Sequence, residues 1–403
     1  MRLRIFIQYS LLCASIFLSA CGGGNSNPAP APNPGPTSNR GDLITVTNLG
    51  AISIQTIDLA FDTYGAPTFT AAYAAINYKI VYKTVDTAGN LVNASGLLSI
   101  PQKDAAIPSA VLLYQHGTIF NEQEAPTNST YRQTLSAMLA SQDYIVAMPD
   151  YLGYGEATNL LHPYLHASSL ASASIDMLRA SKAFLVQQSI SLSSKLFVTG
   201  YSEGGYAAMA VHREIQTTHA SEFVVTAAVP ASGPYDLTAT ADYYLTSITS
   251  PYAPNIAFAV KAYDTVYGWG RMHDFFQTAP IDYANIVDNY FYGNYTGLQI
   301  DSALPDMTAD LFHPNFISSF LGAGESVVKA KLAENNVYNW QPVAPVRLFH
   351  GDADPIVPDT NAYTALAAMS TMSNDVAIES CAGDHSSCFV PYLIYMMSWF
   401  ATM

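Results

Sequence analysis

Five short apolar runs, at 109–114, 144–149, 195–199, 224–230 and 346–350, show no alternation of apolar and polar residues. A strand with one face in water would alternate, so runs of this kind belong to a mostly parallel sheet covered by helices on both faces. Segments with helical spacing fall between them, at roughly 130–141, 169–189 and 204–217. The resulting order, β-α-β-α-β-α-β, predicts a doubly wound α/β sheet. An alternating stretch from Ile76 to Asp86, a Gly89-Asn90 turn and the stretch from Leu91 to Ile100 add an antiparallel hairpin at its start.

The interval 237–342 breaks this rhythm. It holds about twenty aromatic residues, among them Tyr243, Tyr244, Phe275, Phe276 and Tyr290, without a β-α alternation. A structureless loop of that length is improbable inside a compact domain, so a mainly helical cap is expected, inserted before the strand at 346–350. The core then comprises 42–236 and 343–403.

The chain has 403 residues, half of them apolar and only 12% charged, which suits one large core and argues against disorder. A formal charge of −15 argues against nucleic acid and anionic surfaces as partners. Arg2 and Arg4 precede an apolar stretch from Ile5 to Leu18 that is too short for a bilayer span and reads as a signal peptide, residues 1–20. Leu18-Ser19-Ala20-Cys21 resembles the lipobox of bacterial lipoproteins, which implies cleavage before Cys21 and lipidation of its thiol. An ordinary secretory signal is the alternative. The Gly, Pro, Ala, Asn and Ser of residues 21–41 read as a tether that cannot build a core. By the same resemblance, Gly22 after the cysteine favours a lipid anchor in the outer membrane of the cell envelope.

With Cys13 removed and Cys21 lipidated, Cys381 and Cys388 remain in a compartment that permits disulfides, and they are expected to pair. Closing so small a loop should contribute roughly 2.5 kcal/mol on the chain-entropy model.

Gly200-Tyr201-Ser202-Glu203-Gly204-Gly205 follows one of the buried runs and opens a helical segment. Strand, sharp turn and helix are the context of the nucleophile elbow of α/β-hydrolases, with Ser202 as the nucleophile. Glycines are needed on either side because a Cβ there would meet the facing strand and helix. A hydroxyl needs a base, and in this fold the order along the chain is Ser, acid, His. Of nine histidines only His385 follows every plausible acid. It lies in Gly383-Asp384-His385-Ser386, inside the expected disulfide loop, whereas His212 and His219 read as surface residues of the elbow helix. The acid should follow the strand at 346–350, where both Asp352 and Asp354 stand; the G-x-x-D-x-x-V pattern from Gly351 resembles that of many α/β-hydrolases, and the resemblance implies Asp354. Asp384 is a rival, but sequence neighbours rarely reach each other's ring nitrogens.

Tyr114-Gln115-His116-Gly117-Thr118 ends the run at 109–114, where this fold places half of its oxyanion hole. The backbone N–H groups of Thr118 and Glu203 are the expected donors. His116 reads as a residue that orders this loop, and Asp150, which precedes Ser202, as a loop brace.

Together with the Asp150-Tyr151-Leu152-Gly153-Tyr154-Gly155 run, His162-Pro163-Tyr164-Leu165 and Gly233-Pro234-Tyr235-Asp236-Leu237, these motifs resemble bacterial relatives of the secretory lipase family over most of residues 75–395. The resemblance implies hydrolysis of a small-molecule or lipid ester through an acyl-enzyme, with no cofactor and no metal. A serine peptidase on the same fold and a non-catalytic surface binding module are the alternatives. No H-E-x-x-H or C-x-x-C cluster and no G-x-G-x-x-G placed for a dinucleotide is present.

Overall fold

The computed structural model describes residues 39–291, 295–373 and 375–403. The expected signal peptide at 1–20, the lipidation site Cys21 and the tether as far as residue 38 lie outside the described residues. Arg40 and Gly41 are held against the body. Gly41 N–H donates to the Lys83 carbonyl (2.7 Å), and the Arg40 guanidinium reaches the buried carboxylate of Asp176 at 3.0 Å.

Nine strands, β1 (Leu43–Ile52), β2 (Ala75–Val85), β3 (Leu91–Pro101), β4 (Ser109–Gln115), β5 (Tyr144–Pro149), β6 (Leu192–Tyr201), β7 (Ala227–Ala231), β8 (Val346–Gly351) and β9 (Val376–Cys381), form one sheet in the order β1-β2-β3-β5-β4-β6-β7-β8-β9. The first four in that order pair antiparallel and the pairs from β5 to β9 are parallel. This is the doubly wound sheet of an α/β-hydrolase.

Its unalternating strands are buried on both faces. On β4 and β6, Leu112 pairs in register with Phe197 and Leu113 with Val198. Leu112 and Phe197 join the core beneath the helices α1 (Ile54–Thr63) and α2 (Thr130–Ala140) and the C-terminal helix Phe389–Phe400. Leu113 and Val198 join the opposite core, under α3 (Ala167–Gln187) and α4 (Glu203–Thr218). Successive side chains on a strand point to opposite faces, so each apolar residue of such a run has a helix layer to meet.

Between β7 and β8 the described residues form eight helices, from α5 (Leu237–Thr246) and α6 (Ala253–Tyr267) to Ser326–Glu334. The aromatic residues of this interval pack mainly on one another. Phe275 meets Phe316 at 4.9 Å and Phe276 meets Phe312 at 5.1 Å between ring centroids.

The strand expected at 224–230 begins three residues later. Val224 is 70% exposed in a loop, and pairing starts only where Ala227 meets Phe197 on β6. His212, expected at the surface, is instead buried edge-on against Trp340 at 4.9 Å. The correction follows from the segment between β7 and β8, whose Trp340 covers this part of α4.

Candidate active site

The elbow sets the geometry. Ser202 has φ 61° and ψ −124°, a left-sided conformation that costs a non-glycine residue on the order of 1–3 kcal/mol. It is held by Ser202 N–H donating to the Ala231 carbonyl at 2.9 Å and by α4 starting at the next residue. The flanking glycines allow the crowding this requires. A Cβ on Gly200 would stand 2.3 Å from the Gly204 carbonyl oxygen, and one on Gly204 would stand 2.1 Å from that of Gln115.

His385 lies between two partners: its Nε2 accepts from Ser202 Oγ at 2.9 Å, and its Nδ1 donates to Asp354 Oδ2 at 2.5 Å. The other carboxylate oxygen of Asp354 accepts the N–H groups of Ile356 and Val357, each at 2.9 Å. The Asp354 side chain is fully buried, while Asp352 is exposed two residues earlier. Asp384 turns away from the ring and accepts from Ser386 and Ser387 in its own turn, at 3.0 and 2.8 Å. The Cys381–Cys388 disulfide closes this segment with Cα atoms 5.9 Å apart.

A second imidazole stands beside Asp354. His350 Nε2 donates to the Val357 carbonyl at 2.8 Å and lies 3.6 Å from Asp354 Oδ2. Burial holds its pKa below the ordinary histidine value, so it braces the loop of Asp354 as a neutral ring.

The loop that carries Thr118 is packed beside Ser202. A Cβ on Gly117 would lie 3.0 Å from the Tyr201 carbonyl oxygen and 3.6 Å from Ser202 Cβ. His116 is buried between the carbonyls of Gly117 (2.8 Å) and Asp150 (3.3 Å), and burial holds it well below the usual histidine pKa. Tyr151 and Tyr154 donate to Gln115 Oε1 and the Ile119 carbonyl, at 2.9 and 2.5 Å. The Tyr164 and Thr118 hydroxyls share a 2.9 Å bond. Asp150 is a buried hub that accepts from Ser95, from the Thr127 hydroxyl and from Thr127 N–H, at 2.6, 2.8 and 3.0 Å. Burial raises its pKa.

Residue-by-residue reading of the sequence did not assign the pairing of Glu203 with His162, whose Nε2 lies 2.7 Å from Glu203 Oε1. The only sequence signal was the His162-Pro163-Tyr164-Leu165 motif, which carried resemblance without a role.

Ser202 borders two spaces of different character. One is an open groove of about 350 Å³ lined by Thr118, Phe120, Arg132, Tyr252 and His385 among others. The other is a narrow apolar pocket of about 40 Å³ between Leu165, Ile256, Ala259 and Val357. Among the described residues, no group of three or more His, Cys, Asp or Glu could hold a metal ion. No described helix is long and apolar enough to cross a membrane.

A family model described as secretory lipase matches residues 122–380. A search of curated proteins returns no match. Among solved structures, a protein from Legionella pneumophila proposed to be a hydrolase is 28% identical, with a TM-score of 0.84, covering 89% of this chain and 97% of that one. The rice cell wall degrading esterase LipA from Xanthomonas oryzae, in a ligand-bound form, is 29% identical, with a TM-score of 0.80 and coverage of 89% and 97%. Candida antarctica lipase A in its closed state shares the fold at 17% identity, with a TM-score of 0.66 and coverage of 91% and 83%.

Proposed function

The chain belongs to the secretory lipase family and is a carboxylic-ester hydrolase, and from that premise we propose that Ser202 is its nucleophile, His385 its base and Asp354 its acid. The observation that carries the reading is the single ring of His385, bonded on one side to Ser202 Oγ and on the other to a buried carboxylate. Ser202 Oγ attacks the ester carbonyl as His385 Nε2 takes its proton, and the imidazolium is stabilised by Asp354. His385 then protonates the leaving alcohol, the acyl group remains on Ser202, and water repeats the sequence to release the acid. The backbone N–H groups of Glu203 and Thr118 are the proposed donors to the oxyanion.

The two spaces beside Ser202 suggest how the ester sits. A pocket of about 40 Å³ has room for roughly three water-sized positions, which suits a short acyl chain. The open groove suits a bulky alcohol with polar groups. The resemblance to an esterase that degrades rice cell walls supports ester hydrolysis at this site. A secretory family accords with an extracellular or envelope protein, and the lipobox-like Cys21 supports a lipid anchor there.

The test is a series of p-nitrophenyl esters of increasing acyl length, with wild type and Ser202→Ala. Acetate and butyrate should be turned over faster than octanoate or longer, and Ser202→Ala should abolish turnover. Absence of ester turnover in the wild type, or an active Ser202→Ala, overturns the reading.

A further inference from the structure

Two ionisable side chains to which this mechanism gives no role lie next to the proposed nucleophile. Glu203 follows Ser202 in the chain, and its side chain is 1% exposed; the His162 side chain opposite it is 2% exposed. The Nδ1 of His162 lies 2.7 Å from the Leu152 carbonyl. A carbonyl can only accept, so Nδ1 carries a hydrogen. The Nε2 then faces a carboxylate oxygen at 2.7 Å, and two lone pairs cannot face each other at that distance. A second proton must lie between them. On nitrogen it makes an imidazolium and a carboxylate; on oxygen it makes two neutral groups. In either case the pair carries no net charge.

That neutrality matters at this position. The pair is ringed by Tyr154 at 5.0 Å, Tyr151 and Phe258 at 5.8 Å and Tyr164 at 6.2 Å, which leaves little room for water to screen a charge. Glu203 is also the first residue of α4, so an unpaired carboxylate would draw on the same helix N-terminus that favours the developing oxyanion, and would repel that oxyanion. The sequence around His162 is shaped for the contact: a Cβ on Gly153 would stand 2.4 Å from His162 N, so only glycine lets the two segments close. Two residues on, Tyr164 holds the Thr118 hydroxyl. Residues 162–164 thus hold the side chains of both residues whose amides are the proposed oxyanion donors.

We propose that His162 and Glu203 form a proton-sharing pair that keeps the residue behind Ser202 electrically neutral as the oxyanion forms and fixes the Glu203 amide in place. They are positioning residues, and the inference rests on the esterase reading above. Two like charges about 7 Å apart, at an effective dielectric constant of about 20, repel by an amount equivalent to a rate factor of roughly 50, which sets the scale for a bare carboxylate on the residue after Ser202.

The experiment compares the full chain, wild type, His162→Gln and the double variant His162→Gln/Glu203→Gln, on p-nitrophenyl acetate at one fixed pH. Rates are counted per site titrated with a fluorophosphonate. In His162→Gln the amide can still donate to Glu203 but supplies no proton, so kcat should fall roughly 50-fold with KM within about twofold. Removing the carboxylate in the double variant should restore at least about tenfold of that loss. A role in packing alone predicts a double variant as slow as the single one or slower, and that result overturns the proposal, as does a loss confined to KM. If His162→Gln does not fold, His162→Asn and its double variant with Glu203→Gln are read in its place: recovery of at least about tenfold in the double variant supports charge cancellation, and a smaller recovery overturns it. Failure of the esterase reading would show earlier, as no turnover by the wild type.

Discussion

The phenol of Tyr201 donates a 2.8 Å hydrogen bond to the backbone carbonyl of His385, so the residue before Ser202 also holds the main chain of the proposed base. The two rings lie 5.3 Å apart between centroids. Removing this hydroxyl leaves the His385 carbonyl to water and lets its loop drift, while the apolar packing of the ring stays. For Tyr201→Phe we expect a stability loss of about 1 kcal/mol and a kcat lower by roughly three- to thirtyfold, because small misplacements of a base are costly. Steady-state kinetics with thermal unfolding would check this. An unchanged kcat would show that the disulfide alone holds the loop.

The disulfide restrains the same loop from its two ends. Reduction, or Cys381→Ser/Cys388→Ser, should lower stability by roughly 2–3 kcal/mol and lower kcat further than global stability explains, since His385 lies within the ring closed by Cys381 and Cys388. The measurement is activity at a temperature well below the reduced protein's midpoint. Full activity there would mean that Tyr201 and Asp354 suffice.

Asp354 is bonded by two backbone N–H groups as well as by His385. Asp354→Asn keeps the volume but offers an N–H where an acceptor is needed, so His385 loses the tautomer that leaves Nε2 free to take a proton. We expect kcat to fall by up to about 10⁴ with little change in KM. A loss below about tenfold would indicate that Asp352 or another carboxylate takes over.

How far the chain could be read in advance varied with the physics involved. The central strands announced themselves because burial on both faces leaves an unalternating run. The edge strands β1 and β9 and the helix α1 did not, because each is largely half-buried or exposed and carries no such run. The pattern from Gly351 implied Asp354 by resemblance, and its carboxylate is the one that reaches the His385 ring. The His162–Glu203 pair joins residues 41 positions apart through burial, and no local pattern encodes that. His212 was misread for a related reason: a polar residue on this helix looks like a surface position until Trp340, 128 positions further on, is known to cover it.

The burial of that residue gives the enzyme an acid limit to its stability. Burial lowers the pKa of His212 to about 3 and that of His166 to about 4. Both are below the unfolded value, so the unfolded chain binds more protons and stability rises with pH across this window. The contribution is complete above about pH 6.5 and is lost progressively as pH falls toward the folded-state values. Asp150 works in the opposite sense: burial raises its pKa, so it favours the folded state as it gains its proton. Comparing a variant with wild type separates the terms. Between pH 7.5 and pH 5 the wild type should lose roughly 2 kcal/mol through His212 alone, and His212→Leu, which has nothing to protonate, should show a correspondingly flatter acid limb. Urea unfolding at several pH values in that range would test it. Parallel pH profiles for the two proteins would mean that His212 is not held neutral against Trp340.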